Sequence, residues 1–188
     1  MTKMESMVSI INEINSCSLC WLCNIRNNTV PGIGNLDATT MFIGEAPGEE
    51  EDLQGKPFVG KSGKLLRGAL VKVGISAEDI YITNILKCRP PKNRSPQLNE
   101  VACCRKFLTT QINIIQPKFI VLVGSVALSV FFGKNSSMTD YRGKLYKKYG
   151  VNFYTIFHPS YILRSPSSIN IFLEDLSRFK DLMYSQEA

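Results

Sequence analysis

The chain has 188 residues, a length that suits one domain with a real hydrophobic core. Its composition, 44% hydrophobic and 20% charged residues, is that of a globular protein, and no apolar run is long enough to span a membrane. The net charge of +6 indicates either anionic partners or a solvated basic surface, and the absence of a signal-peptide pattern predicts a cytoplasmic protein.

The first half of the chain contains a helix, a cysteine cluster and then alternating strand and helix patterns. Residues 4–16 have the apolar spacing of an amphipathic helix, and the short β-rich run 39–44 ends at a glycine. Residues 62–74 predict a second helix, for which Ser62 is a candidate N-cap and Gly74 a candidate stop.

The alternation continues to the end of the chain. Further strands are predicted at residues 80–84, 118–124 and 151–158, and further helices at residues 97–115, 125–133 and 168–183. Strands that alternate with helices predict a three-layer α/β/α fold with a mainly parallel, four-stranded central sheet. With no repeat or linker in the sequence, residues 1–188 are predicted to form a single domain.

Polar side chains follow three of these predicted strands. Glu45, Asn84 and His158, the only histidine, each lie at or just beyond a strand's carboxyl end. Open α/β sheets build their sites at that edge. Each residue alone fits a capping or turn role, but the three together predict a functional cleft.

Six cysteines in a chain expected to be cytoplasmic suggest a metal or cluster site, because disulfides are rare in reducing compartments. The Cys17-x-x-Cys20 spacing supports that interpretation, and small core residues are the alternative. Spacing alone does not separate an iron–sulfur cluster from zinc held by four thiolates.

Residues 55–62, GKPFVGKS, match the phosphate-binding loop of many nucleotide-binding proteins. A true loop of this kind joins a strand directly to a helix, whereas here the preceding strand ends eleven residues before Gly55. Pro57 also removes an N–H donor from the loop, and no strand ends in an Asp that could hold Mg²⁺. The pattern therefore does not predict nucleotide hydrolysis, although contact of Lys61 with a phosphate stays open.

Four stretches together resemble one family in their order along the chain: GEAPGEEED (44–52), GKPFVG (55–60), YITN with KCRPP (81–84 and 87–91) and FHP (157–159). That family is the family-4, iron–sulfur uracil-DNA glycosylases. The resemblance implies an enzyme that flips uracil out of DNA and hydrolyses its N-glycosidic bond, the first step of base excision repair.

The resemblance also implies a [4Fe–4S] cluster held by Cys17, Cys20, Cys88 and Cys104. Cys23 and Cys103 are then additional. Because neighbouring helical residues point about 100° apart, only one of Cys103 and Cys104 should face the cluster, and Cys103 could compete for that position. The cluster would attach the N-terminal segment to the rest of the domain.

Several residues acquire expected roles from the same resemblance. Phe58, on a loop predicted to be exposed, would stack on the flipped base, and the Asn84 amide would read its edge. His158 would stabilise the departing uracil. Glu45 would position the attacking water, with Glu51 or backbone groups around Ala46 as alternatives.

DNA contacts are expected from exposed basic residues and one apolar wedge: Lys61, Lys64, Arg89, Lys92, Arg94, Leu163 and Arg164. The expected partner is uracil-containing DNA, single- or double-stranded, bound by a monomer, with a sliding clamp as a candidate protein partner. Two alternatives stay open: a non-catalytic iron–sulfur module that binds DNA, and a glycosylase for other damaged bases.

Overall fold

A six-stranded sheet forms the centre of the structure, a computed structural model that describes residues 1–185. The last three residues of the predicted 1–188 domain lie outside that range. The strands are β1 (Ile33–Gly34), β2 (Thr40–Gly44), β3 (Ile80–Asn84), β4 (Phe119–Val123), β5 (Leu145–Lys148) and β6 (Val151–Ile156). Their order across the sheet is β1-β3-β2-β4-β6-β5.

Helices cover both faces of this sheet. Those in the described range are α1 (Lys3–Asn15), α2 (Glu49–Gln54), α3 (Lys61–Val73), α4 (Leu98–Ile115), α5 (Ser125–Phe132), α6 (Met138–Tyr141), α7 (Pro159–Arg164) and α8 (Ile169–Ser185). Helices α1, α4 and α5 contribute to one apolar core, and α3, α7 and α8 contribute to the other. None of the helices within residues 1–185 has the length and apolar character needed to cross a bilayer.

The central strands are buried on both faces, which explains their nearly continuous apolar sequences. On β4, Ile120 and Leu122 join the core under α1, α4 and α5, whereas Phe119, Val121 and Val123 join the core on the opposite side. The predicted three-layer α/β/α fold is therefore confirmed.

The predicted number of strands is too low. The four predicted strands are β2, β3, β4 and β6, and they pair with one another in parallel. The additional strands β1 and β5 lie antiparallel at the two edges of the sheet. They escaped prediction because β1 has only two residues and β5, LYKK, is a short edge strand that ends in two lysines.

Helix α3 begins earlier than its sequence pattern indicated. Its N-cap is Gly60 rather than Ser62, which lies in the first turn, while Gly74 ends the helix in a left-handed conformation as predicted. Gly55 ends α2, so a helix rather than a strand precedes the GKPFVGKS segment. This arrangement lacks the direct strand-to-helix connection of a nucleotide-binding loop.

Thr40 provides a test of the packing of this sheet. It is fully buried on β2, and its hydroxyl oxygen has no hydrogen-bond partner among residues 1–185. Thr40→Val should raise the free energy of unfolding by about 1 kcal/mol, because it removes a buried polar atom at nearly constant volume. Thermal denaturation measures the effect, and a lower melting temperature would contradict it. Thr83→Val on β3 is the matched control and should destabilise, because that hydroxyl donates to Pro31 O at 2.7 Å.

Candidate active site

A cavity of about 310 Å³ opens at the carboxyl ends of the parallel strands. Glu45 follows β2 directly, Asn84 is the last residue of β3, and His158 lies two residues after β6. These three side chains line the cavity together with Ala46 and Phe58. The structure thus brings together these five residues, for which the resemblance implied roles at the reacting base, and Glu51, the alternative to Glu45, lines the same cavity.

The Asn84 side chain is buried and fits closely against its neighbours. Gly44 is its register partner on β2, and a Cβ atom at position 44 would collide with Asn84 Oδ1 and lie 2.6 Å from Phe58 Cζ. Only glycine at this position lets the amide and the aromatic ring approach each other. The polar edge of Asn84 and the ring of Phe58 therefore share one wall of the cavity.

Phe58 is buried, with 5% of its surface exposed, so the expectation of an exposed loop position is wrong. Its backbone adopts the left-handed region, φ 54°, and Gly63 lies so close that any side chain there would collide with the Phe58 carbonyl. The ring centroid lies 6.5 Å from that of His158, at an interplanar angle of 34°. The buried ring therefore forms part of the cavity wall beside His158.

Two charged side chains hold the loop that carries Phe58. Glu51 Oε1 accepts hydrogen bonds from the backbone N–H groups of Val59 at 2.9 Å and Gly60 at 2.8 Å. Arg67 donates to the carbonyl oxygen of Phe58 at 3.0 Å. One Glu51 oxygen is thus occupied by the loop, which leaves Glu45 with the less constrained carboxylate in the cavity.

His158 caps the first turn of α7 with its ring. The backbone N–H of Ser160 donates to His158 Nδ1 at 3.1 Å, and Ser160 Oγ lies 2.7 Å from the same nitrogen. A backbone N–H can only donate, so Nδ1 must be the unprotonated nitrogen. The neutral ring therefore carries its hydrogen on Nε2, where it can act as a donor.

The surroundings of His158 favour this neutral form. Burial and, after it, the positive charge of Arg164 lower its pKa to about 4, although the negative charge of Glu51 acts in the opposite direction. A second proton would have to go on Nδ1, where it would face the Ser160 N–H. The ring is consequently a neutral hydrogen-bond donor at physiological pH.

Glu45 is half-buried in the cavity wall. Burial raises the pKa of its carboxyl group, and a hydrogen bond with Ser95 partly offsets that rise. The backbone carbonyl of Glu45 accepts from Leu86 N at 3.1 Å, which fixes the turn that follows β2. The carboxyl group is thus held at the cavity with a raised affinity for a proton, as suits a general base.

The acidic run at residues 49–52 is largely explained by local contacts. It forms the first turn of α2, where negative charges interact favourably with the helix dipole. Asp52 is buried and accepts from the backbone N–H of Asn27 at 3.0 Å, which ties α2 to the segment after the first cysteines. Glu49 pairs with Arg89 at 3.4 Å.

The predicted DNA-contacting residues fall into two groups. Lys61, Lys64, Lys92, Leu163 and Arg164 are exposed, and Arg164 borders the cavity.

Arg89 and Arg94, in contrast, are already engaged within the protein. Arg89 donates to Asn93 Oδ1 at 2.8 Å in addition to its pair with Glu49, and Arg94 pairs with the buried Glu100 at 2.5 Å. Arg94 nevertheless lines the cavity.

The four cysteines that the resemblance assigned to a cluster lie close enough together to interact electrostatically. Cys88 and Cys104 are buried, whereas Cys17 and Cys20 are half-buried on the loop after α1. The Cys88 thiol interacts electrostatically with those of Cys20 and Cys17, and the Cys104 thiol with those of Cys88 and Cys20.

The four thiols can be compared with the ligands that a single metal ion or an iron–sulfur cluster needs. No three His, Cys, Asp or Glu side chains within residues 1–185 are grouped around a single metal ion. All four side chains supply the sulfur donors that an iron–sulfur cluster requires.

The remaining cysteines have different surroundings. Cys103 is half-exposed, and its Sγ lies 3.2 Å from the carbonyl oxygen of Leu19, although its thiol also interacts electrostatically with that of Cys20. Cys104 points into the core on the same helix. Arg26 Nη1 donates to Cys88 Sγ at 3.2 Å, a contact that would favour the thiolate form.

Comparison with known proteins gives a consistent result. A sequence profile of the uracil DNA glycosylase superfamily matches residues 31–180. The chain is 48% identical to the type-4 uracil-DNA glycosylase of Thermotoga maritima, over 84% of each chain. It is 42% identical to the type-4 uracil-DNA glycosylase of Saccharolobus solfataricus, over 86% of this chain and 79% of that one. It is also 30% identical to a type-5 uracil-DNA glycosylase of Pyrobaculum aerophilum, over 70% of this chain and 65% of that one.

Matches of this extent, together with the cavity at the carboxyl ends of the strands, show that the chain belongs to the type-4 uracil-DNA glycosylases of the uracil DNA glycosylase superfamily.

Proposed function

We propose that the protein is a DNA N-glycosylase that flips uracil out of DNA and hydrolyses its N-glycosidic bond, leaving an abasic site as the first step of base excision repair. The observation that carries this proposal is the cavity in which a fixed amide, an aromatic ring and a neutral imidazole lie together: Asn84, Phe58 and His158. Its relatives, named type-4 uracil-DNA glycosylases, support the same substrate. Two further parts of the proposal are that the chain forms one domain and that it acts as a monomer.

Base recognition is assigned to Asn84 and Phe58. The amide offers one donor and one acceptor to the O4 and N3–H edge of uracil. Cytosine presents the inverse pattern, so an amide held in one orientation rejects it. The Phe58 ring stacks on the flipped base and recovers part of the energy lost when the base leaves the duplex.

Departure of the base is assigned to His158. When the glycosidic bond breaks, negative charge develops on uracil, and a donor aimed at its O2 atom stabilises that charge. The Nε2–H of the neutral ring is such a donor, because Nδ1 is engaged by the Ser160 N–H at 3.1 Å.

The attacking water is assigned to Glu45, which lines the same cavity. Its carboxylate accepts a proton from the water as the oxygen approaches C1′ of the deoxyribose. The backbone at Ala46 can hold the same water through a hydrogen bond, whereas Glu51 primarily anchors the loop of Phe58.

DNA binding is assigned to the exposed cations around the cavity and to Leu163. Lys61, Lys64 and Arg164 would contact phosphates without regard to sequence. Leu163, 45% exposed on α7, is the candidate wedge that fills the vacated stack. Arg89 and Arg94 would shape the cavity rim through their pairs with Glu49 and Glu100, and either can exchange that partner for a phosphate.

Cys17, Cys20, Cys88 and Cys104 are proposed to hold a [4Fe–4S] cluster. When bound, the cluster supplies iron–thiolate bonds that cross-link the loop after α1, the segment after β3 and helix α4. The cysteines thereby stabilise the segment that leads from Asn84 to Arg89, and the hydrolysis itself transfers no electrons.

Paired cysteine variants test these ligands. Protein purified without oxygen should be brown and contain about four iron atoms per chain. Cys104→Ser should lose most of that iron, because the buried Cys104 thiol interacts electrostatically with those of Cys88 and Cys20. The matched control Cys103→Ser should retain it. A colourless wild-type protein with stoichiometric zinc would contradict the cluster, and loss of iron in Cys103→Ser alone would identify Cys103 as the ligand.

The pKa of His158 predicts a characteristic pH dependence. Because burial lowers that pKa to about 4, the ring should stay neutral as the pH falls from 8 to 5.5. Folded-state stability linked to this residue is fully present above the unfolded pKa of about 6.5 and is lost as the pH falls towards 4. In Glu45→Gln, which has no carboxyl group to titrate at position 45, the residual single-turnover rate should be constant over that range. A midpoint near pH 6.5 would show that the ring titrates as an ordinary histidine.

Matched oligonucleotides test the function itself. Substrates carrying one U, one T or one C opposite G are incubated with the protein, and abasic sites are then cleaved with alkali. Strand breaks at U alone support the proposal. Breaks at another damaged base but not at U would favour a different glycosylase, and binding without any break would favour a non-catalytic DNA-binding module.

A further inference from the structure

Lys87 is a fully buried lysine whose role the reaction described above does not explain. Its side chain lies beneath the end of β3, three residues after Asn84, and 1% of the residue is exposed. Its Nζ lies 2.6 Å from Thr83 Oγ1, 2.8 Å from the Asn84 carbonyl oxygen and 2.7 Å from Gln111 Oε1. Lysine is almost never fully buried without such partners.

All three partners act as acceptors towards Lys87. The Thr83 hydroxyl donates its one hydrogen to Pro31 O at 2.7 Å, so its oxygen is left to accept. The Gln111 NH₂ group donates to the same Pro31 oxygen at 2.9 Å, which leaves its Oε1 as the acceptor. A lysine ammonium has three N–H donors and no acceptor, so each donor is matched by one oxygen.

This network fixes the main chain of Asn84 from the side opposite the cavity. On the cavity side, the amide is confined by Gly44 and Phe58. On the other side, Lys87 holds the Asn84 carbonyl, while the next residue, Ile85, donates its N–H to Gly44 O at 2.9 Å. The peptide group that carries the edge-reading side chain is thus bonded at its carbonyl and at its N–H.

We propose that Lys87 is a positioning residue for base recognition, which holds the main chain of Asn84 so that its amide meets the uracil edge in one orientation. The inference rests on the proposed uracil-excising function and deepens it. An apolar side chain of the same length would leave three buried acceptors unpaired, so Lys87 favours a single backbone arrangement at the end of β3.

A double-mutant cycle separates positioning from a general structural effect. Single-turnover excision of uracil from a single-stranded oligonucleotide is measured for wild type, Lys87→Met, Asn84→Ala and the double variant. Lys87→Met should lower the rate by about 10- to 100-fold in the wild-type background and by less than about 2-fold in the Asn84→Ala background. Effects that multiply in the double variant would overturn the proposal.

A second cycle uses Thr83→Val, because Lys87 adjoins Cys88 and Lys87→Met could lose iron or fail to fold. Thr83→Val removes one partner of the Lys87 amine and leaves the residues next to the cysteines unchanged. It should lower the excision rate about 3- to 10-fold, again only when Asn84 is present. Thr40→Val makes the same change on the neighbouring strand β2 and should leave the rate unchanged. Iron content and melting temperature are recorded for every variant.

The outcomes distinguish this inference from the proposed function. Wild-type protein that does not excise uracil would refute the function. If wild type excises uracil but the effects of Lys87→Met and Asn84→Ala multiply, only the positioning role is refuted. If Lys87→Met does not fold, the Thr83→Val cycle decides in the same way.

Discussion

Replacing His158 with alanine should lower the single-turnover rate of uracil excision by about 10²- to 10³-fold, the usual effect of removing one donor that stabilises developing negative charge. The physical reason is the fixed tautomer. Because the Ser160 N–H occupies Nδ1 at 3.1 Å, the neutral ring carries its only N–H on Nε2. The ring lines the cavity, and the chain has no other imidazole to replace it.

Two companion variants show whether this donor is the reason for the loss. His158→Gln can present an amide N–H to the cavity and should recover part of the rate. Ser160→Ala removes the hydroxyl group 2.7 Å from Nδ1 but keeps the backbone N–H, so its effect should be smaller, below about 10-fold. Overall DNA affinity should change little in all three. A rate for His158→Ala within about 3-fold of wild type would remove the assigned role.

Replacing Asn84 with alanine should lower excision by about 10²-fold or more, because two hydrogen bonds to the uracil edge are lost and polar atoms of the bound base are left unpaired. The effect should be large because the neighbours of Asn84 cannot compensate. Gly44 has no side chain, and Phe58 presents only an aromatic ring to the same space.

The matched control for this variant is Asn152→Ala, which makes the same change on β6 at the opposite end of the sheet. Its excision rate should equal that of wild type. If Asn84→Ala excised uracil at the wild-type rate, the edge-reading role would be lost, and equal losses in both variants would indicate damage to the sheet rather than to recognition.

The sequence predicted the parts of this molecule that depend on local pattern. Strands β2, β3, β4 and β6 are apolar enough to be recognised without a partner. Glu45, Asn84 and His158 could be identified because each lies at or beyond a strand end, where the parallel topology brings side chains together. The edge strands β1 and β5 carry too short a pattern to be recognised.

The parts that depend on distant contacts could not be predicted from the sequence. Lys87 looks like an ordinary surface cation in the sequence, and its burial becomes evident only when Gln111, on α4, meets the end of β3. Phe58 was expected to be exposed, but its loop is bonded to Glu51 and its ring forms part of the cavity wall. The contact of Ser95 with Glu45 likewise joins segments 50 residues apart in the chain.

The angle between neighbouring residues on a helix predicted only part of the arrangement of Cys103 and Cys104. It predicted that only one of Cys103 and Cys104 faces the other thiols, but not which one. Cys104 is the buried residue, and its thiol interacts with those of Cys88 and Cys20. The Cys103 thiol also interacts with that of Cys20, so the identity of the ligand depends on how α4 packs against the loop after α1, which no local pattern encodes.

The most direct test of the account is release of free uracil from an oligonucleotide labelled in a single uracil, by wild-type protein and by the Asn84→Ala/His158→Ala double variant purified in parallel. The double variant controls for a glycosylase carried over from the expression host. We expect stoichiometric release by wild type and none by the double variant in the same time. No release by wild type, or equal release by both proteins, would contradict it.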